Sequence, residues 1–212
     1  MASRSITTSA VGVASEPPDE VTIQFSATAI EPDITSARRT VAETAADLRR
    51  LLDARGIPAD RTRTVRFNVR EHRPAPNEPD DREADQYLAT EVVSVSLHAL
   101  DDLSETLSTA VDDAGVEIGD VTFTFQTPTR RALQREAIAD AVETARGKAE
   151  AAAAAEGLTV GEVVQMQTDG GSQPRQTGSG LVLDTEQSRS GPESGPIETH
   201  VTVEVEYELR DS

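Results

Sequence analysis

The chain contains no cysteine and one lysine, Lys148. The missing thiols exclude disulfides, thiolate metal sites and cysteine nucleophiles. No apolar run approaches the roughly 18 residues a membrane helix needs, and the opening residues Met1–Thr7 lack the apolar core of a signal peptide. The expectation is a soluble, cytoplasmic protein without membrane insertion. There is no Gly-x-Ser-x-Gly elbow, phosphate-cradling loop or dinucleotide fingerprint. The glycines at 170, 171, 178 and 180 precede no helix start, so phosphate cradling is not expected.

What is abundant is acid. Asp and Glu number 38 against 20 Lys and Arg, a formal charge of −18. A field of that sign repels nucleic acid phosphates and anionic lipid heads, which makes both poor partners. The acids are spread along the chain rather than gathered in a tail. That distribution fits a halophilic protein adapted to a salt-rich cytosol. At molar salt the Debye length falls to about 3 Å and self-repulsion is screened. Stability is therefore expected to rise with salt.

The longest element is a helix over Thr127–Glu156. Thr127 can cap it, Pro128 sits where a missing N–H costs nothing, and Gly157 can end it in a left-handed conformation. Ala137, Ala141, Ala145, Ala149 and Ala152 recur along it beside Leu133, Ile138 and Val142, a stripe that lets the helix approach a neighbour closely. Before it come a first strand over 4–14, a Glu16-Pro17-Pro18-Asp19 turn and an alternating strand over Val21–Ala29. Asp33 caps a helix whose stripe is Ile34, Ala37, Val41, Ala45, Leu48 and Leu52, ended by Gly56.

Val65, Phe67 and Val69 alternate with polar residues in the next strand, and Tyr87–Leu97 forms another. Asp102 and Glu105 resemble a capping box for a short helix that turns Leu103, Leu107, Ala110, Val111 and Ala114 inward. A strand over 117–126 follows. Beyond the long helix lie strands over Leu158–Met166 and 198–209. Two stretches, 73–86 and 168–196, read as loops and candidate contact elements. The order is β-β-α-β-β-α-β-α-β-β. Alternation implies one wet face per strand, hence an α+β fold with a largely antiparallel sheet and three helices on one face. One domain over 4–210 suits a chain of 212 residues. Ala42-Glu43-Thr44-Ala45 and Val142-Glu143-Thr144-Ala145, each before a Gly-terminated helix end and a strand, form a faint internal echo.

Several features recur together along the chain. They are Gly12, Pro18-Asp19, Gly56-Ile57 with Asp60 and Thr64, Gln86-Tyr87, and Lys148-Ala149 running to Gly157-Leu158. Val160-Gly161-Glu162-Val163 and Gly195-Pro196-Ile197 complete the series. In that order over about 200 residues, the chain resembles the SIMPL-domain family of periplasmic immunogenic and oxidative-stress-defence proteins. The resemblance implies an α+β fold, ring-like oligomers in some members, a stress-related role and no established catalytic residues. Against that family this sequence reads as a leaderless and far more acidic member.

Candidate chemistry is sparse. His72, His98 and His200 have no metal-ligand spacing, though His98 and His200 could meet if their strands pair. Asp80-Asp81, Asp101-Asp102 and Asp112-Asp113 lack the calcium-loop pattern and read as surface or caps. Alternation sends Arg61 and Arg63 to one strand face and Arg66 and Arg70 to the other, with Arg73 beyond. They are therefore expected to pair with carboxylates such as Glu91 rather than form one patch. Arg130, Arg131 and Arg135 near a helix N-terminus are a contact candidate. No catalytic, cofactor-binding or metal-binding residue is assigned, and no cofactor is expected. The reading is a non-enzymatic binding or assembly protein, a homo-oligomer with a further protein partner. The alternative is a hydrolase or small-molecule-binding enzyme built on a carboxylate and an arginine.

Overall fold

The fold, a computed structural model, describes residues 4–72, 86–98, 100–169, 175–176 and 195–211. The expected loops 73–86 and 168–196 lie almost wholly outside these residues. The described residues form strands β1 (Ser5–Glu16) and β2 (Glu20–Glu31), helix α1 (Ile34–Ala54), and strands β3 (Thr62–His72) and β4 (Gln86–Leu97). Helix α2 (Leu103–Ala114), strand β5 (Glu117–Thr124) and helix α3 (Thr127–Ala155) follow. The chain ends in β6 (Leu158–Thr168), the short β7 (Arg175–Gln176) and β8 (Ile197–Asp211).

The fold is α+β and every strand pairing is antiparallel. The strands divide between two sheets, in the orders β1-β8-β6 and β3-β4-β2-β5. Sequence alternation marks which face of a strand is dry, but not which helix dries it. Two compact units result.

In one unit, α1 and α2 cover the four-stranded sheet. Val21, Ile23, Phe25 and Ala27 of β2 and Val93, Val95 and Leu97 of β4 are buried with Ala37, Val41, Ala45, Leu48 and Leu52 of α1. Ser36 N donates to Asp33 Oδ1 at 3.0 Å, so Asp33 is the cap expected of it. That bond to the ionised carboxyl holds Asp33 below its ordinary pKa. Ile34 departs from the buried stripe and is exposed. In α2 the inward residues are Leu103, Thr106, Ala110 and Ala114, and Asp102 makes no side-chain capping bond. Glu105 instead accepts from Arg55 Nη2 at 2.9 Å.

In the other unit, α3 lies on β1 and β8. The buried row is Leu133, Ala137, Ala141, Ala145, Ala149 and Ala153, an unbroken i, i+4 ridge. Ala153 therefore takes the place expected of Ala152, which is exposed. The helix starts one residue earlier than a Thr127 cap would place it, with Gln126 at the cap position and no side-chain capping bond. Gly157 adopts φ 68°, the left-handed stop expected there.

Small meets small at this contact. Ala10, Gly12 and Ala14 of β1 are buried opposite the alanine ridge. Thr8 Oγ1 donates to the Ala145 carbonyl at 2.9 Å. β8 runs between β1 and β6, and Val201, Val203, Val205 and Tyr207 complete the core.

The faint echo in sequence has a structural counterpart. Each long helix ends at a left-handed glycine, Gly56 or Gly157, and leads into an edge strand, β3 or β6. Each edge strand then pairs with a central strand, β4 or β8, further along the chain.

Candidate functional site

The edge strands of the two sheets differ in how far helix side chains reach them. Side chains of α3 cover the edge of β1 at two points: Val13 N donates to Asp140 Oδ2 at 2.9 Å, and Lys148 Nζ donates to the Ser9 carbonyl at 2.9 Å, while the side chains of Val11 and Val13 stay exposed. These bonds satisfy backbone groups that would otherwise invite another strand. Among the described residues, β3 pairs only with β4 and β6 only with β8. Both of these long edges keep large apolar side chains in solvent, Val65 and Phe67 on β3 and Val163, Val164 and Met166 on β6, with Val164 59% exposed.

The β3 edge departs from the sequence expectation. Its register against β4 shifts between Thr64 and Arg66, leaving Val65 as the extra residue of a bulge. Arg63 stands opposite Ser94, Arg66 opposite Val92 and Arg70 opposite Leu88. These three β4 residues occupy alternate positions of a strand whose pairing with β2 is unbroken, so they share a face. The bulge thus places Arg63, Arg66 and Arg70 together on one face, spread over about 20 Å at strand spacing. All three are exposed, and none forms an ion pair among the described residues. Arg61 precedes the strand in a short 3₁₀ turn.

The expected carboxylate partner is taken by another arginine. Glu91 Oε1 accepts from Arg49 Nη2 of α1 at 2.7 Å and from Thr64 Oγ1 at 2.8 Å. Glu91 is 8% exposed, so this pair is a structural clamp between helix and sheet.

On the α1 side of β3, Phe67 and Val69 line an open cavity of about 460 Å³ with Ile34, Arg38, Glu71 and Tyr87. The Arg38 guanidinium lies 5.8 Å from the centre of the Phe67 ring, within cation–π range. Sequence reading missed this hollow. Phe67 belongs to an alternating apolar row, yet it is 46% exposed, and among the described residues β3 has no neighbour beyond it.

The remaining candidates form no joint metal cluster among the described residues. His200 lies on β8 and His98 just after β4, and those strands do not pair. His200 Nε2 sits 3.1 Å from Glu198 Oε2, and His98 Nε2 is 3.9 Å from Glu20 Oε2. His72 ends β3. Asp101-Asp102 and Asp112-Asp113 are exposed, while Asp80-Asp81, Arg73 and the four glycines from 170 to 180 lie outside the described residues. Among the described residues no three His, Asp or Glu converge as a metal site. Arg130 Nη2 donates to the Phe125 carbonyl at 3.0 Å and Arg135 Nε to the Arg131 carbonyl at 3.2 Å, so both turn back onto their own chain segment. No described helix is long and apolar enough to cross a membrane.

A family model described as SIMPL, protein of unknown function (DUF541), matches residues 6–207. No curated protein matches the chain.

Proposed function

Because the chain belongs to the SIMPL family, we propose that it is a non-enzymatic binding and assembly protein that makes its contacts through uncovered strand edges. The observation that carries this is the contrast between β1, where α3 side chains take up the Val13 N–H and the Ser9 carbonyl, and β3 and β6, whose outer edges meet no other strand among the described residues. An open edge is a template for strand pairing; β3 carries a bulge and exposed arginines and β6 two register shifts, devices that blunt an edge, yet both strands still expose large apolar side chains. On β6 the exposed residues Val163, Val164 and Met166 carry no charge, which suits contact with a second copy. The diffuse acidity of the surface supports a salt-rich cytosol as its setting.

Static light scattering across protein concentration in multimolar KCl tests the assembly. An oligomer is expected, and the double variant Val164→Lys/Met166→Lys is expected to shift it toward monomer. A wild-type chain that stays monomeric throughout contradicts the reading.

The cavity beside Phe67 favours a second reading, a small-molecule-binding enzyme. It would draw on Arg38 and Glu71 above the apolar floor. A panel of ester and phosphoester substrates turned over by the wild type but not by Arg38→Gln or Glu71→Gln would favour it over the first.

A further inference from the structure

We propose that the β3 edge from Arg66 to Arg70 is a strand-addition site for an extended acidic segment of another polypeptide, one in which carboxylates alternate with apolar residues. This deepens the reading of open edges as contact surfaces and rests on it. Past the bulge, β3 runs in regular register with β4 from Arg66 to His72. A strand added at its free side places its own side chains directly across from those of β3, on both faces. On one face they meet Arg66 and Arg70. On the other they cover Phe67 and Val69, closing the hollow that Ile34 and Tyr87 line.

Charge selects among possible strands. In a chain of formal charge −18, Arg63, Arg66 and Arg70 are exposed and make no ion pair among the described residues. Adding a neutral or basic strand would strip water from guanidinium groups without replacing it, or set like charges side by side. An acidic strand supplies charge-assisted, bidentate partners instead. The arginines that guard this edge against most strands thus admit one class. A bulge and exposed arginines alone would describe mere edge protection. The exposed Phe67 and Val65 on the same strand add the apolar surface that a partner would cover.

The test uses fluorescein-labelled, end-capped peptides of sequence Thr-Glu-Val-Glu-Val-Glu-Thr and its Gln-for-Glu counterpart. Binding is followed by anisotropy at the lowest KCl concentration that preserves the native circular dichroism spectrum. The acidic peptide is expected to bind at least about tenfold tighter than the neutral one, an advantage the Arg66→Gln/Arg70→Gln variant abolishes. The charge-reversed variant Arg66→Glu/Arg70→Glu is expected to prefer a Lys-for-Glu peptide. Amides of Phe67–Arg70 should gain hydrogen-exchange protection in the wild-type complex.

Equal affinity for the acidic and neutral peptides, or binding indifferent to the arginines, overturns the proposal. Arginine-dependent binding of an oligothymidylate of similar charge, without protection of the β3 amides, would mark a polyphosphate surface and overturn it too. Loss of wild-type assembly in Arg66→Gln/Arg70→Gln would assign the edge to a second copy instead. If the wild type assembles but ignores the acidic peptide, this inference fails while the assembly reading stands. If it binds the peptide but never assembles, the outcomes are reversed.

Discussion

Gly12 of β1 lies directly beneath the Ala137 carbonyl of α3. A Cβ built on Gly12 would collide with that oxygen and with the Ala141 backbone, lying 2.9 Å from the Ala141 Cα. The helix sits this close because both surfaces are nearly bare: Ala10, Gly12 and Ala14 face Ala137, Ala141 and Ala145. Gly12→Ala is therefore expected to cost about 2–4 kcal/mol, since the obstruction is backbone and cannot swing aside. Gly147, within the same helix, has nothing near its missing Cβ. Gly147→Ala should stabilise by about 0.5–1 kcal/mol through helix propensity. Thermal melts of the two variants should move in opposite directions.

The clamp between Arg49, Thr64 and Glu91 predicts an asymmetric pair of variants. Arg49→Ala leaves a nearly buried carboxylate with only the Thr64 hydroxyl and should cost about 2–4 kcal/mol. Glu91→Gln keeps an acceptor for both donors and removes the charge, so it should cost less, about 1–2 kcal/mol. Urea denaturation of both variants measures the order, and a milder effect for Arg49→Ala would refute the clamp.

Tyr207 is 1% exposed, and its hydroxyl is the buried side-chain polar atom that has no hydrogen-bond partner among the described residues. Tyr207→Phe is expected to be neutral or to stabilise by up to about 1 kcal/mol, because no bond is lost and a desolvated hydroxyl is removed. Burial also pushes the Tyr207 phenol above its ordinary pKa, although the Arg146 guanidinium over its ring pulls the other way. The folded state therefore holds this proton longer than the unfolded chain does. Its contribution is full below about pH 10 and is lost as pH rises through the higher, folded value. Wild type should lose stability more steeply above pH 10 than Tyr207→Phe, as denaturation midpoints across that range would record.

The charge of −18 makes a separate prediction about salt. Melting temperature should climb from dilute to multimolar KCl as repulsion among the acids is screened. A flat profile would remove the case for a salt-rich setting.

Sequence patterns carried the elements better than their assembly. The glycine stops at 56 and 157, the Asp33 cap and the alternation of Val21–Ala29 reflect local backbone chemistry, so they could be read residue by residue. The grouping of strands into two sheets depends on which helix covers which dry face, and periodicity is silent on that. The arginine row was hidden for a sharper reason. Val65, Phe67 and Val69 alternate as a regular strand would, and nothing in that pattern announces the bulge. One extra residue moved Arg63 onto the face of Arg66 and Arg70, reversing the expectation that they lie apart. The exposure of Phe67 is hidden for a different reason: alternation marks an apolar face, but that face is fully dry only where the sheet continues beyond it.

The most direct measurement of the central claim is amide hydrogen exchange along β6 as a function of protein concentration in multimolar KCl. If open edges are contact surfaces, protection across Val163–Thr168 should grow with concentration and disappear in Val164→Lys/Met166→Lys. Edge amides that exchange equally fast at every concentration, in wild type and variant alike, would contradict the account.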